Sequence, residues 1–585
     1  MANGFGSLYI GASGLQNSQN ALNTTANNLA NVNTKGYVRQ QVLQADRNYL
    51  TFNTSASISA QQSGLGMKIG DVVHARDVFL DKAYRTESGR QAFYAATYQA
   101  VDEVYTFYQE LQGTAFQDTL EDFWTAFQEL AKAPDDSVQQ DLVVQKAGLF
   151  ISRANAIYTG LSDYQSTINT QISDDIDKIN ELGKTIFELN KEIQKVEAGN
   201  VETAMTLRDQ RDNALDELSS YVSISYKEDS SGIVKVSVEG VDFVDEAKFY
   251  EMGADKDTRT GFVTPYWTHL SDMKNGEYHN VFNFATPISS DRNNDVGELK
   301  ALILARGDRK ANYKDIEGLT SDEYNNSTSD KIATGSSVML QAQAQLDQLV
   351  HGIITSINDI LCPNTTLSGL TGSNTPLTGT DENGNTVTIA ANAKVLDTAN
   401  CSTGSDKQLP PQELFSRRGT ERYTKVTVNG TDYYVYNEED DTDASKQYTL
   451  TGVNVNSALV ANETLLPYLT QNGNVNYDLA AKLAAAWETE GLTLDPDDTN
   501  KLNFINYYNN MVGAFGTIGS VYESTAESLS GTVDSVDSQR AQIMGVSSDE
   551  ELTKMIKFQN AYNASSRFIN VVNEMLESMI TQLGA

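Results

Sequence analysis

Four histidines, His74, His269, His279 and His351, and two cysteines, Cys362 and Cys401, are the side chains here that most readily bind metal or carry protons near neutrality. None falls into His-Glu-x-x-His, Cys-x-x-Cys or a Gly-x-Ser-x-Gly elbow, the spacings that bring ligands or an activated nucleophile to one point. Asp381-Glu382-Asn383-Gly384-Asn385 begins like a calcium loop but lacks glycine at its sixth position and glutamate at its twelfth, so it reads as a hairpin tip. The carboxylate run Glu438-Glu439-Asp440-Asp441 sits in loop-like surroundings, where solvation is expected and acid–base work would need burial. Gly64, Gly66 and Gly70 do not match the dinucleotide fingerprint, and no P-loop occurs. These residues point to no reaction, so the expectation is no enzyme, no metal and no cofactor.

The informative elements are the two ends. Met1 to Thr34 contain no Asp, Glu, Lys or Arg, although 21% of the chain is charged and its net charge is -35. At that frequency a start so long and charge-free arises by chance roughly three times in ten thousand. Leu8, Leu15, Leu22 and Leu29 recur every seven residues, with Ala12 and Ala26 at intervening seam positions and neutral amides and hydroxyls elsewhere. A helix with so narrow a seam buries little apolar area and needs a partner. At the other end Ser547-Ser548-Asp549-Glu550 forms a capping box, and Leu552, Met555, Tyr562, Ile569, Val572, Leu576, Met579 and Leu583 follow three-four spacing. The two ends are expected to pair as an antiparallel coiled coil. The missing charge suits side-by-side copies, since like charges 10 Å apart repel by roughly 1–2 kcal/mol at an effective dielectric near 20.

Composition narrows the partners. Against 78 Asp and Glu stand 43 Lys and Arg, with no basic patch, so neither nucleic acid nor an anionic membrane is expected. No apolar run is long enough to span a bilayer, and no basic and apolar leader opens the chain, so any export should bypass the general secretory route. Cys362 and Cys401 could pair or stand as separate thiols.

Between the ends, residues 78–218 read as helix for most of their length. Ile168, Ile172, Ile176, Ile179, Leu182, Ile186, Leu189, Ile193 and Val196 hold a three-four rhythm over about eight turns. The segment Leu207-Arg208-Asp209-Gln210-Arg211-Asp212-Asn213-Ala214-Leu215-Asp216-Glu217-Leu218 alternates charge in a way that suits a solvated, salt-bridged face. Residues 222–249 alternate as strands, 337–361 form a further helix, and Asn383-Gly384 and Asn429-Gly430 mark hairpins. From Phe504 a long helix resumes, where Gly513, Gly516 and Gly519 permit close packing. The fold class is mainly α with β inserts. It divides into a terminal coiled-coil domain (1–40 with 546–585) and a long-helix bundle (41–362 with 500–545, including a small β region near 222–300). A mainly β, solvent-facing insert (363–499) completes it.

Ala26-Asn27-Asn28-Leu29-Ala30-Asn31-Val32-Asn33-Thr34-Lys35-Gly36-Tyr37, followed by Arg39-Gln40, resembles the N-terminal signature of bacterial flagellar rod, hook and hook-associated proteins. Gly545-Val546 and Asp549-Glu550-Glu551-Leu552, with Gln559, Ala561-Tyr562, Ala564 and Arg567, resemble the matching C-terminal signature. Lys35 stands where the family usually has proline, which loosens the turn. Within the family, the helical middle, the Leu207 to Ser219 segment and the β insert resemble the branch that forms the hook–filament junction.

The resemblance implies a structural, extracellular component of the flagellum, exported by the flagellar type III apparatus without a cleaved peptide. It implies self-assembly as a ring of about eleven copies, with hook protein below and hook-associated protein 3 above. A cytoplasmic chaperone would cover the C-terminal helix before export. The self-assembly interface is expected on Leu8, Leu15, Leu22 and Leu29 of one helix and on Leu552, Tyr562, Ile569, Leu576, Met579 and Leu583 of the other. Other readings are a different axial protein of the same family, an extracellular coiled-coil adhesin, or an enzyme carried in the insert, for which the motifs are missing.

Overall fold

The computed structural model describes residues 2–34, 36–47, 50–51, 62–109, 116–199, 203–329, 331–440 and 442–583. Lys35 and the side chain of Leu583 lie outside the described residues. Helix α1 (Ala2–Ala30) leads into a hairpin of strands β1 (Gln40–Asp46) and β2 (Met67–His74), paired antiparallel with a register shift after Leu43. The body follows as α2 (Val78–Gln109), α3 (Phe116–Lys132), α4 (Ser137–Glu197) and α5 (Met205–Tyr221). Short α6 (Glu298–Arg306) and longer α7 (Val338–Leu361) complete its core. Helix α8 (Phe504–Met544) returns along α2, and α9 (Ser548–Leu583) returns along α1.

Helix α4 is the spine. Asp136 caps it by accepting from the Val138 N–H at 2.9 Å. Its 61 residues span about 90 Å at 1.5 Å per residue. Ile168, Ile172, Ile176, Ile179, Leu182, Ile186, Leu189 and Ile193 are buried as their rhythm predicts, and Val196 at the end is 40% exposed. Against the distal part of α4 packs an antiparallel meander, Ile224–Glu228, Val234–Val238 and Val241–Val244. The α2·α8 pair runs antiparallel: Gly519 faces Val101 and Gly516 faces the Tyr105 ring, where an added Cβ would come within 3.3 and 3.1 Å. Gly513 has open space instead.

At the other end of α4 the core is aromatic. Phe123 lies 5.5 Å from Phe150 and 5.4 Å from Trp487, with Phe415 edge-on at 6.1 Å. Phe415 and Trp487 come from the 363–499 region, so its inner part shares the body's core. The outer part is a six-stranded sheet with a small cluster of its own, Leu367, Ile389, Val395, Val426 and Val428. The turn Asn429-Gly430 has φ +50° and +83° and joins Tyr423–Val428 to Thr431–Tyr436. Asp381 closes the tip of another hairpin by accepting from the Asn385 N–H.

Two sequence readings change, and one left open is decided. The α5 charges are largely buried rather than solvated: Arg211 is 1% and Asp209 5% exposed. Glu439 is not a loose loop acid, because it accepts from the Tyr313 hydroxyl at 2.9 Å and the Tyr448 N–H at 2.8 Å, with His351 Nε2 at 3.1 Å. Cys362 and Cys401 are both buried free thiols, and burial pushes the Cys401 thiol up to about 11. No described helix is long and apolar enough to cross a membrane.

Candidate functional site: the paired terminal helices

Helices α1 and α9 lie antiparallel at very short range. A Cβ on Gly11 would fall 2.6 Å from Ile569 Cγ1, and one on Gly14 would fall 2.7 Å from Ser565 Oγ, so any larger residue there would have to displace these side chains. The deepest residues of α1 are small or polar: Ser13, Asn17, Ser18, Ala21, Thr25 and Asn28 are buried, while Leu8, Leu15, Leu22 and Leu29 are half-buried and Ala12 and Ala26 exposed. The amides have backbone partners. Asn17 Nδ2 donates to the Ser13 and Met67 carbonyls, both at 2.8 Å, tying α1 to β2. Part of the charge-free composition thus serves contacts within one chain, since a charge could not be buried there without a counter-charge.

The two signatures meet in one polar knot. Asn28 Nδ2 donates to Glu551 Oε2 at 3.1 Å and to the Gln40 carbonyl at 2.9 Å. Asn28 Oδ1 accepts from the Tyr37 hydroxyl at 2.8 Å and the Gln40 N–H at 3.0 Å. Arg39 Nη1 pairs with Glu550 at 3.0 Å, and the Arg39 N–H donates to the Met544 carbonyl at 2.8 Å. Burial, with the Asp209 and Glu551 carboxylates nearby, pushes the Tyr37 hydroxyl up to about 12, so it stays a donor. Asn27, Asn31 and Thr34 form the end of α1 through Asn31 Nδ2 to Asn27 Oδ1 at 3.1 Å and Thr34 Oγ1 to Asn31 Oδ1 at 3.2 Å. Ala30, Gln559 and Arg567 are exposed and outside the knot.

Helix α9 carries two apolar stripes. Tyr562, Ile569, Val572 and Leu576 are half-buried or buried, and Ile569 packs on Gly11 of α1. Beside them Phe568, Val571, Met575 and Met579, at three-four spacing, are 43 to 61% exposed, with Ile580 at 72%. Leu552 and Ile556 extend the exposed set at 45 and 60%, and Tyr9 on α1 is 61% exposed. An open groove of about 660 Å³ runs between Ile10 and Gly14 of α1, Met67 of β2, and Phe558, Ala561 and Phe568 of α9. Of the residues expected at an assembly interface, Leu552 and Met579 lie on the exposed surface, Ile569 packs on Gly11 of α1, and Tyr562 and Leu576 are half-buried. Sequence reasoning passed over Ile556, Phe568, Val571, Met575 and Ile580. Their signal was a second three-four series, offset by one residue from the first.

No group of three or more His, Cys, Asp or Glu able to hold a metal ion occurs among the described residues. What this arrangement can do is present apolar surface: each exposed side chain covered by a partner would contribute about 1.5–3 kcal/mol.

Comparison with known proteins matches residues 8–37 to the flagella basal body rod protein family, and residues 538–583 to the C-terminal family of the flagellar basal body rod FlgEFG proteins. Residues 101–375 match the helical domain of the flagellar hook-associated protein FlgK. Flagellar hook-associated protein 1 of Bacillus subtilis is 26% identical over 572 residues, covering 97% of this chain and 96% of that one. The protein of the same name from Salmonella typhimurium is 21% identical over 614 residues, covering 97% and 98%. The solved flagellar hook junction protein FlgK from Burkholderia pseudomallei aligns with a TM-score of 0.49 and 12% identity, over 78% of this chain and 99% of that one.

Proposed function

The chain belongs to the flagellar hook-associated protein 1 family, a structural component of the extracellular flagellum, and from that premise we propose how it builds the junction between hook and filament. The exposed stripe Phe568, Val571, Met575 and Met579 supports the reading most directly, since apolar surface at that spacing on a monomer marks a partner site. Neighbouring copies cover the stripe, which runs on from the groove at Phe568, and the heterologous contact closes into a ring of about eleven copies. The terminal domain (1–40 with 546–585) forms the inner wall of the ring, the bundle an outer tube, and the outer sheet of the 363–499 region faces solvent. Hook protein is the neighbour below and hook-associated protein 3 the neighbour above. Before export a cytoplasmic chaperone covers α9, whose bare stripe would otherwise drive premature association.

Deleting the gene and partitioning flagellin between cells and medium tests the role. Bare hooks with flagellin lost to the medium are expected; normal filaments would overturn the reading.

A further inference from the structure

The chain crosses between the terminal helix pair and the body twice, where β2 enters α2 and where α8 leads to α9. Both crossings are held on one face of α5. Asp209, Asp212, Asn213 and Asp216 fall at i, i+3, i+4 and i+7, which lines them up as one stripe of the helix. At the first crossing Arg76 donates to Asp212, and through Nε to Asp81 at 2.6 Å. At the second, Arg540 donates to Asp81 at 2.9 Å and to Asp216 at 2.7 Å. Arg85 stands between them, 2.6 Å from Asp216 and 3.2 Å from Asp212. The signature turn rests on the same stripe. The Val38 N–H donates to Asp209 at 3.2 Å, and Gly36, at φ +78°, is so close to Asn213 that a Cβ would come within 2.2 Å of its amide.

The three arginines and three aspartates balance, and Asp81, Arg85 and Arg540 are each 4% exposed. Removing one member of a buried set leaves an uncompensated charge, so few alternative arrangements are open to it; such sets add little net stability compared with the specificity of their geometry. Helix α5 does not need the stripe for its own seat, because Ala214, Leu215 and Leu218 are buried in the body's core.

We infer that this stripe of α5 is a positioning device that fixes the angle of the terminal helix pair on the body. In the junction, on the reading given above, it makes each subunit a rigid coupling, so that bending and torque taken up by the inner wall reach the outer tube without slack. Asp212 holds the first crossing through Arg76 and Asp216 the second through Arg540, while Asp81 bridges the two arginines.

Distance measurement between nitroxide labels on the full-length monomer tests this, with Gln19→Cys on α1 and Gln194→Cys on α4, both exposed positions. The native Cys362 and Cys401 are buried, out of reach of the reagent. One narrow distance distribution is expected for the otherwise unsubstituted chain, and one at least twice as broad for Asp212→Asn with Asp216→Asn. A distribution already broad before substitution, or equally narrow after it, overturns the inference, whatever the melting temperature does. Should the double variant fail to fold, Asn213→Leu crowds Gly36 without touching an ion pair. A displaced or broadened distribution then supports the inference and an unchanged one overturns it. The measurement needs no assembly, so its failure is distinct from normal filaments after gene deletion.

Discussion

Glu551 is 1% exposed in the first turn of α9, where the helix dipole favours a negative charge, and Lys554 stands 2.7 Å away. Its bond from the Asn28 amide joins positions 523 residues apart in sequence. Glu551→Ala should therefore loosen the two signatures together, at about 1.5–3 kcal/mol for a hydrogen bond to a charged group. The expected readout is amide exchange of residues 28–40 faster by roughly tenfold to a hundredfold, with exchange in α4 unchanged. A second residue-scale expectation concerns pH. Burial raises the Asp209 carboxyl to about 7, while burial, then Arg76, lowers the 3.3 Å neighbour His74 to about 4. A carboxyl raised on folding contributes stability that is complete below its ordinary range and lost as pH rises through about 7. The lowered imidazole acts oppositely, its contribution being present above about 6.5 and lost as pH falls toward 4. Over their shared window of about pH 4 to 7 the two contributions oppose each other, so the turn at residues 36–40 should change little, and Asp209→Asn, whose amide oxygen can still accept from the Val38 N–H, should unmask a loosening in exchange rates as pH falls from about 6.5 toward 4.

At the scale of the element, α9 separates folding from assembly by which stripe is changed. Val571→Glu with Met575→Glu alters side chains 46 and 61% exposed and should leave the monomer within about 0.5 kcal/mol of its original stability. Such a variant should be exported yet absent from hook tips by immunolabelling, whereas incorporation at normal frequency would remove the stripe from the interface. The long helices were legible because a three-four rhythm over many turns admits few other readings, as Ile168 to Ile193 illustrate. The hairpin at Asn429-Gly430 was legible because two successive positive φ angles suit those residues. The buried set on α5 was not, since alternating charge looks the same whether its partners are water or Arg85 and Arg540 from helices more than a hundred residues away. The second α9 stripe was hidden by its nearness to the first, for one periodic series masks another shifted by a residue.

For the molecule as a whole, the decisive matter is where one core ends and another begins. Trp487 is 1% exposed and packs on Phe123 and Phe504 at 5.4 and 5.6 Å, and three residues before it the Ala484 carbonyl accepts from the Trp124 indole N–H. The inner part of the 363–499 region is therefore a wall of the body, and Trp487→Ala should cost about 3–5 kcal/mol through lost burial and the cavity left behind. The outer part differs. Its cluster of Leu367, Ile389, Val395, Val426 and Val428 is separate from the main core, and Thr366 pairs directly with Lys394 across two antiparallel strands. Replacing residues 367–393 by Asn-Gly would close that pair as a two-residue hairpin without stretching either strand. The cost falls on Val395, Val426 and Val428, which lose the cover of Leu367 and Ile389, and not on the aromatic cluster. The shortened chain should consequently melt within a few degrees of the original, be exported, and support filaments, while Trp487→Ala should lower the melting temperature clearly. If instead the shortened chain fails to fold and Trp487→Ala is tolerated, the boundary between the two cores lies elsewhere and the outer sheet, rather than α4, organises this end of the molecule.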